Sequence, residues 1–130
     1  MEPSIFTRII TGEIPCHKVY EDDKVLAFLD IHPTQPGHTL VVTKEQVAQF
    51  TELSDESFAH LVQVSKMFAS HMQEVLGSHR IVMKFEGFDV PHVHAHLIPC
   101  MEPNDSYREG RENEEPDHAA LADMAKRLAL

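Results

Sequence analysis

Three histidines occupy alternate positions in the stretch DVPHVHAHLIP, residues 89–99: His92, His94 and His96. Alternate residues of a β-strand share one face and lie about 6.6 Å apart, so this spacing predicts three imidazoles on one side of a strand. Histidine titrates near neutral pH and can act as a nucleophile, a proton carrier or a metal ligand. The stretch is therefore the first candidate for a functional site.

Several interpretations fit this spacing. The three histidines could be exposed strand residues that happen to alternate. His92 and His94 could bind zinc with a third ligand such as His38, as in a metallohydrolase. Alternatively, a neutral imidazole could attack phosphorus while neighbouring donors stabilise the charge on the phosphoryl oxygens. The spacing alone leaves these alternatives open.

Length, charge and cysteine content restrict the class of protein. The 130 residues, 42% of them hydrophobic, are enough for one compact core and too few for two ordinary domains. A net charge of −10 disfavours binding to DNA or RNA but allows a small phosphate ester in a local pocket. Cys16 and Cys100 have no C-x-x-C partner, which favours a reducing cytoplasm over a disulfide framework or a thiolate zinc site. No apolar run approaches the roughly 20 residues that span a bilayer, so we expect a soluble, unprocessed protein without a membrane partner.

The pattern of apolar residues predicts a mixed α+β domain. Helical spacing predicts a short helix over 5–10 and a long helix over 54–76, with Ser54 as its N-cap and Gly77 after its end. A final amphipathic helix is expected over 117–130. Runs rich in β-branched and aromatic residues predict five strands, over 17–21, 24–31, 38–44, 79–85 and 92–98. This order of elements indicates a five-stranded antiparallel sheet.

The tail differs in composition from the rest. Residues 102–117 contain seven acidic residues and two arginines with almost nothing apolar, so they predict a solvated, mobile loop. We assign residues 1–100 to the main domain and 101–130 to an acidic loop and C-terminal helix packed on it or extending from it. Five other histidines are expected to be solvated at the surface: His17, His60, His71, His79 and His118.

The pattern His-apolar-His-apolar-His-apolar-apolar resembles the signature of the histidine triad (HIT) family of nucleotide hydrolases and transferases. The likeness extends over about residues 4–99 and includes IF, GEIP, YEDD, AF.DI.P..PGH and the long helix that follows. The resemblance implies a HIT-like fold, a small nucleotide substrate and catalysis without a cofactor. It also implies a homodimer, because family members pair through the long helix and an edge strand into one continuous sheet.

The resemblance also implies roles for the histidines. His94 matches the family's nucleophile, which takes the nucleotidyl group from the substrate α-phosphate and passes it to water. His92 and His96 match the flanking histidines that contact the phosphate and help the leaving group depart. His38, in PGH, matches a fourth histidine near the same phosphate.

Nucleotide-binding positions follow in the same way. Asp30 matches the acidic residue that accepts hydrogen bonds from the ribose hydroxyls, although by itself it would be read as a turn residue. Without the resemblance, the residues that match the apolar walls around the base would be read as core. They are Ile5, Phe6, Ile9, Phe28 and Ile31.

The chain departs from the family pattern at two places near the site. Many bacterial relatives have a C-x-x-C that helps to hold a structural zinc, and Ser4 and Thr7 stand at those positions, so we predict no metal there. The loop before the histidines reads MKFEGFDVPH, without the family's Asn and Gly-Gln-Ser or Gly-Gln-Thr. Gly87 suits a tight turn in this loop, whereas the Asp89 carboxylate, where a hydroxyl would donate, is repulsive towards a phosphate.

We therefore predict a two-step displacement at the α-phosphorus of a nucleoside phosphoramidate or an aminoacyl adenylate, through a nucleotidyl-histidine on His94. Backbone amides of the Gly87 loop and cationic forms of the neighbouring histidines are expected to supply positive potential. The alternatives are a dinucleoside polyphosphate hydrolase, a non-catalytic nucleotide-binding protein, and the metallohydrolase.

Overall fold

The computed structural model describes residues 1–107 and 114–130. The helices are α1 (Ile5–Ile10), α2 (Asp55–Leu76) and α3 (His118–Leu128), with short 3-10 turns at Phe50–Glu52 and Asp105–Tyr107. The strands are β1 (Lys18–Glu21), β2 (Val25–Leu29), β3 (Thr39–Thr43), β4 (Arg80–Phe85) and β5 (His94–Cys100). They form one antiparallel sheet in the order β1-β2-β3-β5-β4. The predicted α+β architecture with five antiparallel strands is confirmed.

Apolar layers cover both faces of the sheet. Successive side chains of a strand point to opposite faces, so each strand contributes residues to both layers. One layer packs α2 and α3 against the sheet through residues such as Phe68, Met72 and Leu128. The other layer packs Phe6 of α1 against Leu26 and Phe28 of β2. The central strands β2 and β3 are fully buried, which explains their nearly continuous apolar sequences.

The ends of α2 match the sequence signals. The Ser54 side chain accepts a hydrogen bond from the backbone N–H of Ser57, and Gly77 takes the left-handed conformation with φ 66°.

A glycine determines how the chain enters β3. Gly37 has φ +95°, and a Cβ built on it would lie 2.7 Å from Leu76 Cδ1. A side chain would therefore be strained by its backbone conformation and would also clash with the end of α2. This tight turn leads directly to His38, whose backbone N–H donates to the Gln35 carbonyl.

Two strand boundaries differ from the prediction in ways that matter for the site. β2 ends at Leu29, so Asp30 and Ile31 lie in the bend that follows. β5 begins at His94, so His92 lies before the strand. Side-chain alternation along β5 therefore covers His94 and His96 only.

The start of the acidic tail is ordered, contrary to the prediction of a solvated loop. Asp105 and Ser106 are buried within a 3-10 turn. The Asp105 carboxylate accepts hydrogen bonds from the backbone N–H groups of Met101 and Glu102, both at 2.9 Å. These bonds offset the cost of burying the carboxylate. Residues 108–113, where the prediction also placed this loop, lie outside the described residues.

Three of the histidines that were predicted to be solvated have protein partners and are partly buried. His17 Nε2 lies 2.9 Å from His118 Nδ1, His60 Nε2 donates to the Asp22 carboxylate, and His71 Nε2 donates to the Leu128 carbonyl.

None of the helices within residues 1–107 and 114–130 is long and apolar enough to cross a membrane.

Candidate active site

The imidazoles of His38, His92, His94 and His96 lie close together on the α1 side of the sheet. His94 and His96 project there from β5, opposite Val42 and Leu40 of β3. The ring centroids of His94 and His96 are 4.9 Å apart, and those of His96 and His38 are 5.2 Å apart. The site is therefore built on two paired central strands.

A backbone contact determines which ring nitrogen of His94 carries the hydrogen. Its Nδ1 lies 2.6 Å from the carbonyl oxygen of His92. Because a carbonyl can only accept, Nδ1 carries the hydrogen and Nε2 of the neutral ring keeps its lone pair. His94 can therefore act as a nucleophile through Nε2.

His38 and His96 form a directional chain. The backbone N–H of Thr34 donates to His38 Nδ1 at 3.0 Å, so the hydrogen of the neutral His38 ring is on Nε2. His38 Nε2 lies 2.9 Å from His96 Nδ1 and donates to it. The hydrogen of His96 is then on its Nε2, so His96 offers a donor beside the His94 lone pair.

His92 does not match the expectation that it contacts a phosphate. The residue is 0% exposed. Its Nε2 donates to the Thr43 carbonyl at 2.6 Å, and its Nδ1 accepts from the Ser4 hydroxyl at 2.6 Å. With both ring nitrogens bonded inside the protein, His92 joins α1 to the sheet and has no ring nitrogen for a substrate.

The imidazoles of the site are neutral at physiological pH. Burial, with smaller contributions from His96, Lys84 and His94, lowers the pKa of His38 to about 3. Burial and the charge of His94 lower the pKa of His96 to about 4. Burial also lowers the pKa of His94 and of His92. The expectation that the neighbouring histidines are cationic is therefore wrong, because removing them from water disfavours the charged form.

Lys84 places a positive charge near the neutral histidines. It lies directly opposite His96 in the β4–β5 register, and its charge lowers the pKa of His96 and His38. Its Nζ is 3.3 Å from the Glu86 carboxylate. Lys84 was not among the predicted site residues, because only the pairing of the two strands identifies it.

Asp30 lies at the far end of the cluster. One carboxylate oxygen is 3.7 Å from His38 Nε2, and the other accepts the backbone N–H of His32 at 2.9 Å. Ligand atoms of Asp30, His38 and His96 lie within 4.8 Å of one another, so these three residues could hold a metal ion. This set differs from the one in the metallohydrolase hypothesis, and a metal would displace the His38–His96 hydrogen bond.

The apolar residues predicted to surround a base fall into two groups. Phe6 and Phe28 are buried and pack edge to face, with ring centroids 5.8 Å apart. Ile5 and Ile31 are 50% and 41% exposed, and Ile9 is half-buried. The two phenylalanines therefore belong to the core, whereas the isoleucines are accessible to a ligand.

Comparison with known proteins identifies the family. The HIT domain family model matches residues 11–102. The chain belongs to the HIT domain family.

Relatives with similar sequences and structures extend this match. An adenosine 5'-monophosphoramidase of Schizosaccharomyces pombe is 44% identical over 108 residues, covering 79% of this chain and 77% of the relative. An adenosine 5'-monophosphoramidase of Saccharomyces cerevisiae is 33% identical over 127 residues, covering 95% and 79%. The crystal structure of a HIT-like protein from Bartonella henselae is 28% identical, covers 96% of this chain and 93% of that one, and superposes with a TM-score of 0.81.

In this HIT protein a hydrogen-bonded group, which we call the N-terminal polar cluster, connects α1 to the histidines. Its members are Ser4, Thr7, Gln46 and His92. The Ser4 hydroxyl caps α1 by accepting the Thr7 backbone N–H at 3.0 Å. Gln46 Oε1 accepts from the Ser4 backbone N–H at 2.7 Å and from the Thr7 hydroxyl at 2.6 Å. Gln46 was not among the predicted site residues, because a single glutamine in a sequence gives no signal of its partners.

The loop between β4 and β5 of this HIT protein does not require its glycine. Gly87 does not have a positive φ, and a Cβ there would make only ordinary contacts, at 3.7 Å and 3.8 Å. The expectation that Gly87 serves a tight turn is therefore wrong. Asp89 is exposed, and its negative charge, like those of Asp30 and Glu86, raises the pKa of His94 against the larger effect of burial.

We predict that Ser4→Ala destabilises the HIT domain by about 1–3 kcal/mol, because it removes a helix cap and leaves the buried Nδ1 of His92 without a donor. Ser54→Ala is the matched control, since it removes only a solvent-exposed cap and should cost about 1 kcal/mol. Urea denaturation of both variants measures the difference. Equal losses would contradict a role for Ser4 in holding His92.

Proposed function

We propose that this HIT protein hydrolyses nucleoside 5'-phosphoramidates through a covalent nucleotidyl-histidine on His94. The observation that carries the proposal is the pattern of hydrogen bonds around the rings, from which we assign a lone pair to His94 Nε2 and an N–H to His96 Nε2. The names of two curated relatives, both adenosine 5'-monophosphoramidases, support the same reaction.

In the first step His94 Nε2 attacks the α-phosphorus and the leaving group departs. The imidazole becomes cationic, and the bond from its Nδ1–H to the His92 carbonyl becomes stronger because the donor is charged. In the second step water displaces the histidine and releases the nucleoside monophosphate. Dividing one difficult substitution into two easier ones is the advantage of covalent catalysis.

The phosphoryl oxygens would be held by neutral donors and one cation. Lys84 and His96 are directly opposite each other on paired strands, so the His96 Nε2–H and the Lys84 ammonium group are the candidate donors. Both can stabilise the charge that develops on the oxygens. His38 acts through His96, whose donor it orients. Backbone amides of the loop around Gly87 are a further candidate source of positive potential.

The nucleoside would extend towards Asp30. Its carboxylate can accept hydrogen bonds from the two ribose hydroxyls, and the exposed Ile5 and Ile31 with the half-buried Ile9 provide apolar contacts for a base. Phe6 and Phe28 would support these residues from the core.

We predict that His94→Ala abolishes turnover of adenosine 5'-phosphoramidate while adenosine monophosphate still binds. Turnover is followed by chromatography and binding by calorimetry. Alkaline-quenched wild-type protein should carry an adenylyl group that peptide mapping assigns to His94. Adding a chelator should leave the activity unchanged.

Other outcomes identify the alternative functions. Nucleotide binding without turnover or adduct by the wild type would favour the non-catalytic nucleotide-binding protein, which the Asp89 loop supports. Activity lost on chelation and restored by zinc would favour the metallohydrolase. Faster turnover of a dinucleoside polyphosphate than of the phosphoramidate would favour that alternative substrate class.

We predict that kcat/KM retains its neutral-pH value below pH 6.5 and falls only in more acidic solution. The attacking form of His94 is neutral, and burial lowers its pKa from the ordinary 6.5, so protonation removes the nucleophile only at lower pH. A pH profile measured with circular dichroism at each point separates loss of activity from loss of fold. A midpoint at or above pH 6.5 would contradict this assignment.

We also propose that the protein is a cytoplasmic homodimer. β4 is an edge strand, and an unpaired edge offers backbone groups to a second copy. Met83 on β4 and Met67 on α2 are each 43% exposed, so a second copy could cover apolar surface on both elements. Both cysteines are unpaired, as expected in a reducing compartment.

Sedimentation equilibrium of the wild type should give the mass of two chains. The double variant Met67→Glu with Met83→Glu should be monomeric, because burying the introduced carboxylates in the dimer interface is unfavourable. Met101→Glu is the control, since Met101 is 61% exposed and lies outside α2 and β4. A monomeric wild type would exclude the homodimer.

A further inference from the structure

Residues 30–38, which we call the β2–β3 loop, present the backbone N–H of Thr34 to His38 Nδ1. The register of β2 with β3 ends at the pair Leu29 and Thr39, so the middle of the loop lies outside the sheet ladder. The Thr34 N–H selects the tautomer of His38 only while it stays at hydrogen-bonding distance from the ring. The loop therefore needs other contacts to keep its conformation.

The start of the acidic tail lies beside this loop. β3 and β5 are antiparallel with Thr39 opposite Leu97, so the chain that leaves β5 runs next to the loop that enters β3. The 3-10 turn Asp105–Tyr107, which we call the tail turn, follows β5. The Gln35 side chain donates from Nε2 to the Asp105 carbonyl at 3.2 Å. This bond joins the loop to a residue 70 positions farther along the chain.

The Asp105 end of this bond is held in place by the tail itself. The Asp105 side chain is buried, and its carboxylate accepts the backbone N–H groups of Met101 and Glu102. The Asp105 N–H donates to the Glu102 carbonyl at 3.1 Å. Breaking these bonds would leave a buried carboxylate without partners, which is unfavourable. The Asp105 carbonyl is therefore a fixed acceptor for Gln35.

The Gln35 end of the bond is connected directly to His38. The Gln35 carbonyl accepts the His38 backbone N–H at 3.0 Å, and Thr34, the preceding residue, donates to the His38 ring. A displacement of Gln35 therefore affects both contacts between the loop and His38. Pro33 and Pro36 restrict the backbone on either side, which limits how far the loop can compensate.

We propose that Gln35 is a positioning residue, which ties the β2–β3 loop to the tail turn and thereby sets the tautomers of the histidines. The tie keeps the Thr34 N–H on His38 Nδ1, so the hydrogen of His38 is on Nε2 and the hydrogen of His96 is on its own Nε2. The effect on the tautomers rests on hydrogen bonds alone. The effect on catalysis rests on the proposed function.

The opposite tautomer would reverse the character of His96. If the Thr34 N–H moved away, no backbone donor would keep the His38 hydrogen on Nε2. With that hydrogen on Nδ1, His38 Nε2 would accept, and the hydrogen of His96 would lie on Nδ1 between the two rings. His96 Nε2 would then present a lone pair, which repels a phosphoryl oxygen. A bond remote from the reacting atoms therefore decides whether His96 attracts the substrate.

The test replaces Gln35 by methionine, which removes the amide donor and keeps a side chain of similar length. NMR spectra that correlate ring nitrogens with ring C–H hydrogens distinguish the two neutral tautomers of each histidine. The wild type should have the hydrogen on Nε2 in His38 and His96, and Gln35→Met should add the second tautomer to both. Its kcat/KM for adenosine 5'-phosphoramidate should fall about two- to tenfold, the equivalent of one hydrogen bond.

Gln73→Met is the matched control, because Gln73 Nε2 also donates to a backbone carbonyl, that of His79 at 3.0 Å, near the end of α2. It should leave the tautomers and kcat/KM as in the wild type. Asp105→Ala releases the tail turn and should reproduce the effect of Gln35→Met. The double variant should show no further change, because both residues act through one bond. Circular dichroism checks that each variant folds.

The outcomes separate this role from the proposed reaction. Unchanged tautomers in Gln35→Met, or an equal change in Gln73→Met, would overturn the positioning role and leave the proposed hydrolysis standing. Changed tautomers with the kcat/KM of the wild type would overturn the part of Gln35 in catalysis. Absence of turnover in the wild type, with changed tautomers in Gln35→Met, would overturn the proposed function and leave Gln35 as a positioning residue of the histidine cluster.

Discussion

The site depends on burying several imidazoles together without charging them. Burial and mutual repulsion lower the pKa of His38 to about 3 and of His96 to about 4, so neither is a cation in neutral solution. A neutral imidazole has one donor and one acceptor, and its chemistry depends on which nitrogen has the hydrogen. Backbone groups make that choice: the Thr34 N–H for His38 and the His92 carbonyl for His94. The His94 ring is therefore oriented by the fold and needs no neighbouring carboxylate to select its tautomer.

This dependence also gives a part in the site to residues that only position the backbone. The His92 carbonyl can accept from His94 only while the chain before β5 keeps its position. His92 itself secures that segment, because its ring bonds to the Thr43 carbonyl and to Ser4. Gly37 has the corresponding role for His38, since without a side chain it can adopt a positive φ next to Leu76 in the turn that leads into β3. Both segments hold backbone groups at hydrogen-bonding distance from a ring nitrogen. A single tautomer is favoured only while that distance is kept.

The sequence was sufficient for the architecture and for part of the site. Periodicity and capping residues predicted all three helices and five strands, because each element has a strong local signal. Alternation grouped three histidines, but local signals do not determine where a strand begins, and His92 lies before β5. Lys84 and Gln46 were missed because their roles arise from contacts with residues far along the chain. The protonation states were misjudged for a related reason, since a pKa depends on burial by the whole domain.

Charge is distributed unevenly along the site. In a protein of net charge −10, this distribution determines whether an anionic ligand can approach. A phosphate ester approaching such a surface is repelled unless local groups outweigh the average field. Lys84 and the N–H of His96 would attract a phosphate, whereas the carboxylates of Glu86 and Asp89, on the loop between β4 and β5, would repel it. A substrate with a charge of one sign throughout would gain at one end and lose at the other. The proposed phosphoramidate, anionic at phosphorus and able to become cationic at nitrogen, would gain at both. The carboxylates between β4 and β5 would therefore favour the proposed substrate over one that is anionic throughout.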